Sequence, residues 1–116
     1  MTKRLALDYV NDVYEALCKC LEFTRDMDYN QFQQDTKTVF AVIRALEIIG
    51  EGVKKIPDNW KAEYQNVPWK EIAGMRDVLI HHYFGVDYAV VWQTVKKDVP
   101  LILPEIEKMK KVFEEQ

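Results

Sequence analysis

Apolar side chains in this sequence recur at spacings of three and four residues, which is the period of one face of an α-helix. The clearest run is a mostly apolar seam whose members are separated by four, three, four, three, four and three residues: Phe32, Thr36, Val39, Ile43, Leu46, Gly50 and Val53. A seam of this period predicts a helix that packs lengthwise along another helix. Only four glycines and four prolines occur in 116 residues, so the turns that a many-stranded β fold needs are scarce.

Interruptions of the pattern divide the chain into helices. A first helix is expected over residues 5–25, and a second runs from a capping box of Asn30 and Gln33 to Pro57. Residues 60–67 form a loop or a short helical turn. The sequence predicts an all-α, up-and-down bundle of four to five helices, with one domain over residues 1–116.

The second half of the chain holds the remaining helices. A third helix has Pro68 in its first turn and ends after Tyr83 or Phe84, with Gly85 as a candidate for a left-handed cap. Asp87 caps a fourth helix to about residue 97. Pro100 and Pro104 predict a kink or short break before a last helix that ends near residue 113.

The second helix carries more apolar side chains than one seam requires. The additional flank consists of Phe40, Val42, Ile49 and Ile56. This surplus indicates either contact with a second chain or a central position in the bundle. Gly50 and Gly52 lower helix propensity, so they mark a close helix approach or a local distortion.

Composition restricts the class of protein. Sixteen basic and nineteen acidic side chains give a formal charge of −3, which argues against a protein that grips nucleic acid through overall charge. Cys18 and Cys20 lie about 200° apart on a helix, so they cannot pair with each other, and they predict a reducing compartment. No apolar run is long enough for a membrane span and the N-terminus does not resemble a signal peptide, so we expect a cytoplasmic protein.

One segment, residues 75–85, holds both histidines and most of the chemically capable side chains. On an ideal helix Tyr83 nearly eclipses Arg76, whereas His81 lies about 140° away from Arg76 around the axis. Three explanations remain open: a distorted helix end, an Arg76 side chain that reaches around the helix, or a site completed by a second protomer. The apolar run 78–80 favours the second protomer.

These residue types suit cleavage of an RNA phosphodiester without a metal ion. Histidine transfers protons near neutral pH, and arginine binds phosphate and stabilises its developing charge. Tyrosine can hydrogen-bond phosphate or stack on a base. His81 and His82 point about 100° apart, so they do not form a metal site. From the residues alone, a hydrogen-bonded structural patch in a simple helical bundle remains the alternative.

The spacing of Arg76, His81 and Tyr83 resembles the R-x4-H-x-Y motif of the HEPN superfamily. The segment 68–77, PWKEIAGMRD, is similar to the one that precedes this motif in the HepT-like branch, whose members are encoded beside minimal nucleotidyltransferases. Three other segments fit the same branch: YFGVD at 83–87, RALEIIGE at 44–51, and Trp92 with DVP at 98–100. The similarity covers nearly the whole chain.

This resemblance implies a homodimeric, metal-independent endoribonuclease toxin with its site in the dimer cleft and no cofactor. Arg76 and His81 match the catalytic pair. Tyr83 matches the tyrosine that a nucleotidyltransferase antitoxin of the MntA type modifies with AMP. The RNA substrate would be tRNA or mRNA, and the resemblance implies no membrane partner.

Further residues are candidates for a supporting role. Asp77 stands where many relatives have asparagine, which counts against its direct contact with substrate phosphate. His82 and Lys70 are candidate supporting or substrate-binding residues. Three further lysines would extend the positively charged patch formed by Arg76, Lys70 and His81: Lys54, Lys55 and Lys61. The alternative function is a non-catalytic helical adaptor or nucleotide-binding module.

Overall fold

The computed structural model describes the backbone of residues 1–80, 85 and 87–116, and the side chains of residues 1–75, 85 and 87–116. Within these ranges all regular structure is helical, so the predicted all-α bundle is confirmed. The chain forms α1 (Lys3–Phe23), α2 (Tyr29–Gln34), α3 (Thr36–Lys55), α4 (Asp58–Lys61), α5 (Trp69–Ile80), α6 (Tyr88–Gln93), a π-helical turn (Thr94–Asp98) and α7 (Val99–Glu114).

Helix α3 occupies the centre of the bundle. It packs against α1 along most of its length and also contacts α2, α5 and α6. Three members of the predicted extra flank, Val42, Ile49 and Ile56, are therefore buried within the chain itself. Phe40 is the exception, since 65% of its surface is exposed. The central position of α3 thus accounts for most of the surplus apolar surface.

The prediction of one continuous second helix was wrong. Asp35 ends α2 and caps α3, where its carboxylate accepts the N–H of Thr38 at 3.1 Å. The predicted capping box was also misplaced by two residues. Asp28, rather than Asn30, is the N-cap of α2: its Oδ1 accepts the Gln31 N–H, and the Gln31 side chain accepts the Asp28 N–H.

The close approach predicted for the glycines of α3 is found at Gly52. A Cβ atom placed there would lie 2.6 Å from Cγ2 of Val13 and 3.5 Å from the carbonyl oxygen of Tyr9. Because real Cβ contacts are longer than 3.0 Å, only glycine lets α1 approach α3 this closely without a shift.

In the last third of the chain, the predicted N-cap at Asp87 is confirmed. The Asp87 carboxylate accepts the N–H groups of Ala89 and Val90 at the start of α6.

The break expected near Pro100 is instead a π-helical turn with helical dihedral angles, in which the Val99 N–H donates to the Thr94 carbonyl. Proline supplies no N–H to the helical ladder, and the wider turn carries the chain through this interruption. Pro104 lies inside α7.

Burial holds one of the two free cysteines in its neutral form. Cys20 is fully buried, Cys18 is half-buried, and burial raises the pKa of the Cys20 thiol to about 12. The unfolded chain ionises this thiol near the ordinary cysteine pKa of 9.0, whereas the folded chain does not. Above that pH the unfolded state therefore binds fewer protons, and the free energy of unfolding falls.

We expect Cys20 to contribute a loss of up to about 1.4 kcal/mol per pH unit between about pH 9 and pH 12. Urea unfolding of the wild type and of Cys20→Ala at pH 8 and pH 10.5 measures this contribution. The wild type should lose more stability than the variant over that interval, because other titrating groups are common to both. Equal losses would contradict the neutral buried thiol.

Candidate functional site

Helix α5 carries the first part of the predicted motif. The backbone of Arg76 and Asp77 lies in its second half, and their side chains are outside the described residues. His81, His82 and Tyr83 are also outside the described residues, as is the predicted end of the helix after Tyr83 or Phe84. The predicted face shared by Arg76 and Tyr83 therefore stays a prediction.

Residues on both sides of that segment are described. Gly85 has a φ of +92°, in the left-handed region that its predicted role as a helix cap requires. At the start of α5, the Ile72 N–H donates to the carbonyl of Pro68, and Glu71 lies in the first turn. Pro68 thus directly precedes the helix that leads to the motif.

The indole of Trp69 fixes the start of α5 on the preceding loop. Its Nε1–H is shared between the carbonyl oxygens of Lys61, at 3.1 Å, and Tyr64, at 3.0 Å. Two acceptors on the same donor restrict the rotation of the ring. The half-buried Trp69 side chain is therefore held in one position at the junction of α4, the loop and α5.

Lys61 joins the same junction to the end of α3. Its Nζ donates to the Val53 carbonyl at 3.0 Å and lies 3.5 Å from the Asp58 carboxylate. In a continuing helix the Val53 carbonyl would accept the N–H of residue 57, but Pro57 has none. The lysine supplies the missing donor, and only 15% of its side chain remains exposed.

These elements surround an open cavity of about 560 Å³, which we call the α3–α5 cavity. The described part of its wall carries three lysines, one aspartate and an indole. The lining residues are Lys54, Asp58, Lys61, Ala62, Gln65, Trp69, Lys70 and Ala73. The structure thus brings together three of the four lysines that the sequence singled out. Lysine ammonium groups beside an aromatic ring suit an anion that carries a flat apolar group.

Lys55 does not belong to this cavity. It lines a smaller one between α1 and α3, and its Nζ lies 5.8 Å from the centre of the Tyr9 ring. A third cavity, of about 600 Å³, lies along α1 and α3 and is lined by apolar and charged side chains that include Phe23, Arg44 and Ile48.

Sequence reasoning missed the part that Trp69 and Gln65 play in the α3–α5 cavity. Trp69, next to Pro68 at the predicted start of a helix, was a usable sequence signal, because a buried indole N–H requires a hydrogen-bond acceptor. Within the described ranges, no group of three or more histidine, cysteine, aspartate or glutamate side chains is placed to hold a metal ion. Nor is any described helix long and apolar enough to cross a bilayer.

Comparisons with known proteins agree with the sequence motif. The family model described as "Ribonuclease HepT-like" matches residues 13–109, a range that includes Arg76, His81 and Tyr83. A protein of Thermococcus cleftensis named "Probable ribonuclease HepT" is 51% identical over 109 residues, which cover 94% of this chain and 99% of the relative.

Two proteins of Methanocaldococcus jannaschii, each named "Putative RNase", are also similar. One is 47% identical over 116 residues, the whole of both chains, and the other is 47% identical over 107 residues, 92% of this chain and 98% of the relative. No solved structure matches. The family match over most of the chain and the full-length relatives show that this protein belongs to the ribonuclease HepT-like family.

Proposed function

We propose that this chain is an endoribonuclease toxin that cleaves cellular RNA. The observation that carries the proposal is the family match over residues 13–109, because that range contains the complete R-x4-H-x-Y motif. The relatives named as ribonucleases support the same activity. We propose that residues 1–116 act as one domain in this role.

Arg76 and His81 are assigned the catalytic roles. RNA carries its own nucleophile, the 2′-hydroxyl, and His81 is the group that transfers its proton near neutral pH. Arg76 binds the scissile phosphate and stabilises the negative charge that develops on its oxygens. Proton transfer and charge stabilisation are thus both supplied by side chains, and the proposed reaction is independent of metal ions and needs no cofactor.

The working form in this proposal is a homodimer whose cleft holds the site. On a regular helix Arg76 and His81 point about 140° apart, so a second protomer is the simplest way to bring such a pair together. The exposed Phe40 is an apolar group available for contact with another chain. A two-fold axis would also place two copies each of Arg76, Lys70 and His81 at the dimer interface. That arrangement would concentrate positive charge in a protein whose chain has a formal charge of −3.

The proposed control is modification of Tyr83 by a nucleotidyltransferase antitoxin. AMP on the phenol adds bulk and negative charge beside Arg76, which would exclude an RNA phosphate by steric overlap and repulsion. In this arrangement Asp77 lowers the local positive charge, and His82 and Lys70 support substrate binding. The free thiols of Cys18 and Cys20 and the cellular RNA substrate are consistent with a cytoplasmic toxin.

Incubation of purified protein with tRNA and mRNA in the presence of EDTA tests the proposal. Attack by the 2′-hydroxyl leaves a 2′,3′-cyclic phosphate and a 5′-hydroxyl, so we expect fragments with those ends. Treatment with ATP and a minimal nucleotidyltransferase of the MntA type should add AMP, detected by intact mass, and suppress cleavage of the wild type. Tyr83→Phe should gain no AMP and stay uninhibited.

Two results would overturn parts of this proposal. Absence of cleavage for every RNA tested, with retained helical circular dichroism, would favour the non-catalytic adaptor or nucleotide-binding module. Cleavage that EDTA abolishes would remove the metal-independent mechanism but leave the ribonuclease activity.

A further inference from the structure

The α3–α5 cavity lies on the same helix as the proposed catalytic arginine. Ala73 in its wall precedes Arg76 by three residues, and Trp69 precedes it by seven. Seven residues rise about 10 Å and return to within about 20° of the same direction around the helix axis. Positions 69 and 76 therefore lie on one face of α5, about three stacked nucleotides apart.

The charge of the cavity favours an anion. Among the described residues of its lining, lysines outnumber aspartates by three to one, and Asp58 is paired with Lys61. The side chains of Lys54 and Lys70 are both exposed, on α3 and α5. The predominance of lysine among these described lining residues contrasts with the formal charge of −3 of the chain. A phosphate group at the cavity would meet ammonium groups from two helices.

Hydrogen bonds position the aromatic wall of the cavity. Two carbonyl acceptors fix the Trp69 indole, and Lys61 is itself held by the Val53 carbonyl. Ala62 and Ala73, which line the same cavity, have only methyl side chains. A volume of about 560 Å³ lies within the usual range for small-ligand sites. An indole held in this way suits stacking of a base.

We propose that the α3–α5 cavity is a subsite for one nucleotide of the RNA substrate, with the base against Trp69 and the phosphate at Lys54 and Lys70. This inference rests on the proposed ribonuclease function and assigns the part of the substrate that lies away from the scissile phosphate. The subsite supplies affinity for the strand, and the motif at residues 76–83 cleaves it.

Binding of a fluorescein-labelled 12-nucleotide single-stranded RNA tests the subsite, in full-length protein carrying His81→Ala to prevent cleavage. Fluorescence anisotropy is measured over a range of salt concentrations. Adding Lys54→Ala and Lys70→Ala should weaken binding about tenfold and lower the slope of log affinity against log salt by about two. The matched control is Lys108→Ala with Lys111→Ala, two exposed lysines of α7 whose loss changes the net charge equally.

An isosteric pair of variants tests the charge without removing any lysine. Gln65→Glu places a carboxylate in the cavity wall and should weaken RNA binding about threefold. Gln33→Glu, at an exposed position of α2 outside the cavity, should leave affinity within about 1.5-fold. Because these changes keep the side-chain shape, a loss confined to Gln65→Glu cannot come from unfolding.

Tryptophan fluorescence tests the stacking. RNA should quench the emission of the protein, and Trp69→Phe should remove more than about half of that quenching, since Trp60 is buried against Phe113 and Trp92 packs against Tyr29 and Phe32 outside the cavity. Quenching that persists unchanged in the variant would remove the stacking contact.

The outcomes separate this inference from the proposed function. If the wild type cleaves RNA but the cavity variants bind like their controls, the subsite is wrong and the ribonuclease remains. If the wild type neither cleaves nor binds RNA, both are wrong.

Discussion

Replacement of His81 or Arg76 by alanine is expected to abolish RNA cleavage while the protein remains helical. Loss of a general acid–base group costs about 10²–10⁴-fold in rate, and loss of a charge-stabilising donor costs about 10²–10³-fold. Both effects are larger than any expected from the lysines of the α3–α5 cavity. Initial rates with purified protein and one defined RNA measure them, and circular dichroism checks the fold.

Two controls accompany these variants. Arg25→Ala removes an exposed arginine from the loop after α1 and should keep wild-type activity. His82→Ala removes the adjacent imidazole and should cost less than about tenfold, because His82 is assigned a supporting role. Cleavage that persists in both purified variants, Arg76→Ala and His81→Ala, would remove the assigned catalytic roles.

Mixing the two inactive variants tests whether the site is shared between protomers. If Arg76 of one protomer acts with His81 of the other, each heterodimer has one site with both residues intact and one with both replaced. Equal amounts, exchanged to equilibrium, give half heterodimers, so about a quarter of the wild-type activity should return. No recovery would place both residues of a working site in the same chain.

The fold could be predicted from the sequence wherever one period of apolar residues was unambiguous. The prediction failed at the start of α2, because two residue pairs fit the same capping pattern: Asp28 with Gln31, and Asn30 with Gln33. Tertiary contacts accompany the start of α2 at Tyr29. The rings of Tyr29 and Phe32 pack on Trp92, and their centres lie 6.2 and 5.1 Å from the centre of the Trp92 ring. Such contacts join segments about 60 residues apart and leave no local signal.

Only part of the candidate site could be predicted from the sequence. The spacing of Arg76, His81 and Tyr83 is local, so the motif was readable directly. The α3–α5 cavity was not, because it forms only where the end of α3, the short helix α4 and the start of α5 converge. The lysines were visible as charges, but their common location depended on the Lys61 and Trp69 hydrogen bonds.

The packing of α1 on α3 predicts opposite effects for the same substitution at two glycines. Gly52→Ala places a methyl group 2.6 Å from Cγ2 of Val13, which is fully buried and cannot move freely. Overpacking of this kind costs about 1–3 kcal/mol, which exceeds the gain of about 1 kcal/mol in helix propensity. Gly52→Leu should cost more and approach loss of folding.

Gly74→Ala in α5 is the matched control. Among the described residues, and apart from the neighbouring backbone of its own helix, no atom lies within 4 Å of a Cβ placed there, so the free energy of unfolding should rise by about 0.5–1 kcal/mol. Urea unfolding of each variant measures both changes. If Gly52→Ala also stabilised the protein, the close approach of α1 and α3 would be wrong.

A double-mutant cycle identifies the atom responsible. Val13→Ala removes the Cγ2 methyl group that the new Cβ would meet, at its own cost as a cavity in the core. In that background Gly52→Ala should cost at least about 1 kcal/mol less than in the wild type, because the steric conflict is absent. The Tyr9 carbonyl, at 3.5 Å, is already at an ordinary contact distance and would not change. An unchanged cost would assign the destabilisation to the backbone of α3 rather than to its contact with Val13.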